Sequence, residues 1–209
     1  MTASASIERL LDPAADYVQN GVFVAVVGPS GAGKDTIIDY ARMVLKDEPG
    51  FHFVRRVVTR PSSVDAEDHD TLSEAEFSKA LQSGAFSHQW EAHGLCYGLP
   101  KSVHDEIRLG AVAIANVSRG IVPKLRATYA NFAVVHITAS HEVLAKRLAA
   151  RGRESADEIQ RRLMRAGANP CDPLDAIMID NSGDVAKAGG EFVALLRKMA
   201  VKAAISEQV

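Results

Sequence analysis

The chain has 209 residues, 47% of them hydrophobic and 24% charged, which suits one compact domain able to bury a real core. Its 24 basic and 26 acidic side chains leave a net charge of −2, which argues against a broad nucleic-acid-binding face, because such a face needs a basic surplus. Cys96 and Cys171 lack the spacing of a metal or disulfide framework, and apolar runs such as Val22 to Val27 are far too short to cross a bilayer. The expectation is a protein with two free thiols in a reducing cytoplasm, off the membrane.

Residues Met1 to Asn20 carry Glu8, Asp12 and Asp16 against a single basic side chain, Arg9. They lack the positive end and apolar core of a secretory signal and read as an extension ahead of one domain over 21–209. Val22 to Val27 is a continuous β-branched run ending in Gly28-Pro29, as a buried parallel strand does. From Lys34 the period becomes helical, through Ile37, Ile38, Ala41, Val44 and Leu45, and Pro49-Gly50 closes the segment. Phe51 to Thr59 reads as a second strand and Ser62 to Asp70 as an acidic loop. Ser73 and Glu76 form a capping box for a helix that stops at Gly84. Phe86 to Gly98 mixes aromatic and polar residues without a clear period, and Ser102 opens a helix that ends at Gly110.

Ala111 to Ala115 and Ala133 to Thr138 are strand-like, with Asn116 and Ser140 just beyond them. Ser140 is placed to cap a helix reaching Gly152, and Ser155 with Glu158 forms a second capping box. Ile177 to Ile179 is a last short strand and Phe192 to Ala204 a closing helix. This alternation implies an α/β fold with a parallel sheet covered on both faces and ligands at the strand C-terminal ends.

Gly28-Pro29-Ser30-Gly31-Ala32-Gly33-Lys34 fits G-x-x-x-x-G-K between a predicted strand and a predicted helix. Glycines let main-chain N–H groups close around phosphate oxygens, the helix N-terminus adds its positive end, and Lys34 adds a point charge at the β- and γ-phosphates. The next residue is Asp35, where most such loops carry Ser or Thr to hold magnesium, and Thr36 follows. Either one is a metal-ligand candidate. Cations cluster in Arg147, Arg151, Arg153, Arg161, Arg162 and Arg165, and guanidinium groups suit phosphate oxygens. Asp157 with Arg161 and Glu158 with Arg162 are also i,i+4 pairs, each able to steady a helix by about 0.3 kcal/mol. No Ser/His/Asp or Cys/His triad is present, and the seven histidines lack metal-ligand spacing.

The residues from Gly28 to Asp35, Thr59-Arg60, Leu72 to Phe77, Trp90 to Gly98, Asn116 to Arg119, Arg151 to Leu163 and Asn181 to Gly183 together resemble the guanylate-kinase-like branch of the nucleoside monophosphate kinases. Within that branch they are similar to the ribose 1,5-bisphosphate phosphokinases, whose cradle also ends in Lys-Asp. The resemblance implies a P-loop NTPase fold of three αβα layers, an acceptor-binding insertion at about 60–100 and a lid at about 150–165. It also implies ATP with Mg2+, a small phosphosugar acceptor, and transfer of the γ-phosphoryl group to the 1-phosphate of ribose 1,5-bisphosphate.

Carried onto this chain, it assigns Gly28 to Thr36 and Asn181 to the nucleotide. Lys34, Arg147, Arg151 and Arg162 go to the transfer step, and Arg60, Tyr97, Asn116, Ser118 and Arg119 to the acceptor. Guanylate kinases differ in chemistry. Their guanine-reading Glu falls at His88, whose neutral imidazole cannot accept a paired N–H edge as a carboxylate does. Their second phosphate-gripping Arg is missing from Ser62-Ser63-Val64, and the acid at the end of the central strand is Asn116. A nucleoside monophosphate kinase with an unusual base pocket is the rival enzyme. A non-catalytic guanylate-kinase-like interaction module is disfavoured by the retained Gly28, Gly33 and Lys34.

Overall fold

The computed structural model describes residues 18–59, 69–150 and 176–206. Five strands form a parallel sheet in the order β2–β7–β1–β8–β9: β1 (Val22–Val27), β2 (Phe51–Phe53), β7 (Val112–Asn116), β8 (Phe132–Thr138) and β9 (Ile177–Asp180). Strand β1 lies at the centre and is buried along its whole length, which its unbroken apolar run requires. Val22, Val24 and Val26 face one layer with α1 (Lys34–Val44), α5 (His141–Ala150) and α6 (Val185–Ser206). Phe23, Ala25 and Val27 face the other, with α3 (Ser102–Arg108) and α4 (Val122–Thr128). The period-two alternation of one strand thus seeds both cores.

A second sheet, in the order β4–β3–β6–β5, comprises β3 (Arg56–Val58), β4 (His69–Thr71), β5 (Phe86–Ala92) and β6 (Leu95–Pro100). Strands β5 and β6 form a hairpin in which Ala92 pairs with Leu95, so His93-Gly94 is a two-residue turn. Both turn residues have positive φ, 53° and 73°, the conformation that matches the twist of the flanking strands. Helix α2 (Glu74–Gln82) bears the expected capping box of Ser73 and Glu76, and buries Phe77 against Phe86.

Three boundaries differ from the sequence reading. The stretch from Phe51 to Thr59 is two strands in two sheets. Val54 N–H makes a last main-sheet bond to Ile114 O at 2.9 Å, after which Arg56–Val58 pairs with β4 and β6. Residues His69 and Asp70, read as loop, begin edge strand β4, and Arg55 reaches across to Asp70 at 2.9 Å. Helix α6 starts at Val185, ahead of the expected Phe192, and carries Gly189-Gly190 inside it. A Cβ on Gly189 would lie 2.4 Å from Tyr40 Cδ1, so this glycine lets α6 approach α1 closely.

The expected capping box at Ser155 and Glu158 lies outside the described residues, as do Cys171 and most of the 1–20 extension. Cys96 is a free thiol, and no helix among the described residues is long and apolar enough to cross a membrane.

Candidate active site

The loop from Gly28 to Lys34 joins β1 to α1 at the C-terminal edge of the sheet. Gly28 has φ 149°, and a Cβ there would meet Ile137 O at 2.2 Å, so only glycine lets the chain leave β1 in this direction. Gly33 has φ 85° and stands at the N-cap of α1, where no side chain caps the helix. The first-turn amides of α1 are therefore oriented as an anion-binding end. Lys34 folds back across the loop, its Nζ donating to Gly28 O at 2.9 Å and Pro29 O at 3.1 Å. Ser30 is exposed at the crest, Gly31 and Ala32 are buried, and Ala32 N–H closes the turn onto Pro29 O at 3.3 Å.

Behind the loop stand Arg147 and Asn181. Asn181 Nδ2 donates to Ala32 O at 2.8 Å, and Arg147 Nη2 donates to Asn181 O at 2.9 Å. Arg147 Nη1 also lies 3.4 Å from both Gly31 O and Ala32 O. The resemblance expects the Arg147 guanidinium at the transferring phosphate, and in this structure it reaches the carbonyls of Gly31 and Ala32 in the loop. The resemblance expects Asn181 beside the nucleotide, and here it is 1% exposed beneath the loop. A Cβ on Gly33 would fall 2.4 Å from its Nδ2. The pair braces the cradle's shape, a need that sequence spacing does not reveal.

The other wall of the site is built by β7, β3 and the hairpin. Asn116 Nδ2 donates to Asp35 Oδ1 at 2.6 Å. Two departures that look unrelated in the sequence, Asp after the cradle lysine and Asn at the end of β7, are thus one hydrogen-bonded pair. A carboxylate is kept, but on the helix side of the bond. Asp35 lines an open hollow with Ile38, Asp39, Arg42, Val54, Arg56, Ile114 and Asn116. Thr36 is exposed and lies outside this lining.

Arg56 Nη1 donates to Asn116 O at 3.2 Å, and its guanidinium carbon lies 5.7 Å from the Tyr97 ring centroid. Trp90 stacks on Tyr97 at 5.3 Å, and its Nε1 donates to Ser118 Oγ at 2.8 Å. Tyr97, Asn116 and Ser118 are thus brought together, with Arg119 opening a 3-10 turn beside them. Arg42, Arg56 and His136 were not singled out from the sequence. Burial and the nearby charges of Arg119 and Lys34 lower the pKa of His136, whose Nε2 is buried without a hydrogen-bond partner among the described residues. The tandem Arg55-Arg56 ahead of a strand is a visible signal. The alternation does not say which of the two turns inward until the partner strands are known. Arg60, Arg151 and Arg162, with Arg153, Arg161 and Arg165, lie outside the described residues.

His88 lies in β5. Its Nε2 lies 2.9 Å from Thr128 Oγ1, and its ring packs near His104 and Tyr129. Burial, then the charges of His104 and Lys124, push its pKa down to about 4 from 6.5. As pH falls through 6.5 the unfolded chain takes up this proton and the folded chain does not, so stability drops between 6.5 and about 4. His88→Gln, which retains a partner for Thr128, is expected to flatten this fall. Thermal midpoints at pH 7.5 and 4.5 should converge relative to the wild type, and an unchanged slope would exclude His88 as its source.

Comparison with known proteins places the chain. Residues 21–188 match the family described as guanylate kinase. The crystal structure of guanylate kinase from Anaplasma phagocytophilum superposes with a TM-score of 0.59, at 18% identity over 85% of each chain. With the cradle and parallel sheet above, this defines a P-loop protein of the guanylate-kinase fold. Ribose 1,5-bisphosphate phosphokinase PhnN of Brucella melitensis is 53% identical over 182 residues, covering 87% of this chain and 95% of that protein. The PhnN protein of a Chelativorans species is 45% identical over 207 residues, 99% of each chain. The chain belongs to the ribose 1,5-bisphosphate phosphokinase family.

Proposed function

We propose that the chain transfers the γ-phosphoryl group of ATP to the 1-phosphate of ribose 1,5-bisphosphate, giving 5-phosphoribosyl 1-diphosphate and ADP in the cytoplasm. The observation that carries this reading is 53% identity to a PhnN phosphokinase over 95% of that protein's length, in a chain whose phosphate cradle is intact. The acceptor is a phosphate oxygen, already anionic and nucleophilic. No general base is needed, and catalysis reduces to alignment and charge neutralisation. That accords with a site offering arginines and main-chain amides.

The main-chain N–H groups from Ser30 to Thr36 would hold the β- and γ-phosphates, with Lys34 moving its ammonium from the loop carbonyls to the γ-phosphate as it arrives. Arg147 and Asn181 act through the loop they brace and are positioning residues in this scheme. Arg151 and Arg162, at lid positions in 150–165, would close over the transferring group. Arg60, Tyr97, Ser118 and Arg119 would hold the acceptor in the insertion at about 60–100. Magnesium fits the Asp35 side: one carboxylate oxygen is fixed by Asn116, while Oδ2 takes no hydrogen bond from the described residues, so Asp35 is favoured over the exposed Thr36 as its ligand. When bound, the ion would neutralise charge on the β- and γ-phosphates.

Wild-type protein with ATP should turn over ribose 1,5-bisphosphate at least about 100-fold more efficiently than GMP, measured as kcat/KM by coupled ADP release. The reverse preference would identify a nucleoside monophosphate kinase.

A further inference from the structure

Resting on that reading, we propose that the hollow along α1 is the seat of the acceptor's second phosphate, with Arg56 as its principal ligand and Arg42 as an auxiliary one. A sugar bisphosphate presents two dianionic groups at opposite ends of a small ring. One end must lie at the cradle, where its phosphate oxygen attacks the γ-phosphorus and ADP leaves. The other needs its own cations, set at the length of the sugar. The hollow supplies such an arrangement.

Asp35, Asp39 and Arg42 recur at four- and three-residue steps on one face of α1, so the lining extends about 10 Å from the cradle end of the helix. That span suits a ribose with a phosphate at each end. Val54, Ile38 and Ile114 form an apolar floor of the kind that backs a sugar's carbon face. Arg56 is set before any ligand arrives, by its bond to Asn116 O and by the Tyr97 ring. Such pre-ordering lowers the entropy lost when a guanidinium fork closes on a phosphate. Arg42 is held by Asp39 Oδ1 at 2.6 Å and lies 5.4 Å from the Phe53 ring centroid. The Asp39 carboxylate opposes an anion and offers an acceptor to a sugar hydroxyl, which is why Arg42 ranks second.

The test compares ribose 1,5-bisphosphate with ribose 1-phosphate, which lacks only the distal phosphate, in wild type, Arg56→Gln and Arg42→Gln. The surface variant Arg108→Gln controls for loss of one positive charge. The ratio of kcat/KM for the two acceptors is expected to fall about 30-fold or more in Arg56→Gln, less in Arg42→Gln, and to hold in the control. Calorimetric titration with ribose 5-phosphate, which carries the distal phosphate alone, should show the same ranking of lost affinity. If Arg56→Gln slows both acceptors equally and still binds ribose 5-phosphate as the wild type does, the hollow is not this subsite, whatever the enzyme's activity. If the wild type does not turn over the bisphosphate, yet binds ribose 5-phosphate through Arg56, the subsite stands and the proposed reaction falls.

Discussion

Lys34→Ala is expected to lower kcat by at least about 1000-fold with the preferred acceptor. The transition state spreads charge over the oxygens of the migrating phosphoryl group, and Lys34 is the cradle's own cation. Its ammonium already crosses the loop to Gly28 O and Pro29 O, so a short movement brings it onto the γ-phosphate. Lys34→Arg should rescue little, because a planar fork does not replace a compact point charge inside a tight loop. The amides and the αL turn at Gly33 survive either change, so ATP should still bind with affinity reduced by about tenfold to a hundredfold. Initial-rate kinetics with a thermal midpoint as folding control measure this. A Lys34→Ala protein retaining more than a tenth of wild-type kcat would remove Lys34 from the transfer step.

Asn116→Asp should cost about 100-fold in kcat, and the loss should be repairable. The change sets a second carboxylate against Asp35 across a contact of 2.6 Å and removes the amide donor that orients it. Asp35→Ser alone removes the carboxylate and leaves Asn116 facing a hydroxyl, with a loss of similar size. The double variant Asp35→Ser with Asn116→Asp again has one acid and one donor, with the charge moved to the strand side of the bond. It should recover at least about tenfold over either single variant, with magnesium dependence restored in parallel. Losses that simply multiply would show that the two residues act independently.

The sheet and its cradle were legible because they rest on local chemistry. An unbroken β-branched run, a glycine-rich turn and a change to helical period lie within 25 residues, and the turn's glycines Gly28 and Gly33 both have positive φ, as a glycine pattern at a tight turn announces. The same holds for the Ser73–Glu76 box, whose bonds span three residues. What was not legible depends on partners far away in sequence. The run from Phe51 to Thr59 looks continuous, and only its pairing with β7 on one side and β6 on the other divides it. Arg147 carries the composition of a phosphate ligand, but its hydrogen bonds reach back 115 residues to carbonyls that no periodicity identifies. Asp35 and Asn116 are each visible departures in the sequence, yet 81 residues separate them and only the fold joins them. Arg56 and Arg42 share a hollow with Asn116 only because β3 leaves the main sheet at Val54.

The most direct test of the proposed reaction is to follow the phosphorus atom itself. Purified protein is incubated with ribose 1,5-bisphosphate, magnesium and ATP labelled at the γ-position, and the products are resolved by phosphorus NMR and label counting. The expected result is a new diphosphate on C1 of the sugar whose outer phosphorus carries the label, formed in step with ADP. Label found only in inorganic phosphate, with the bisphosphate unchanged, would contradict the assignment.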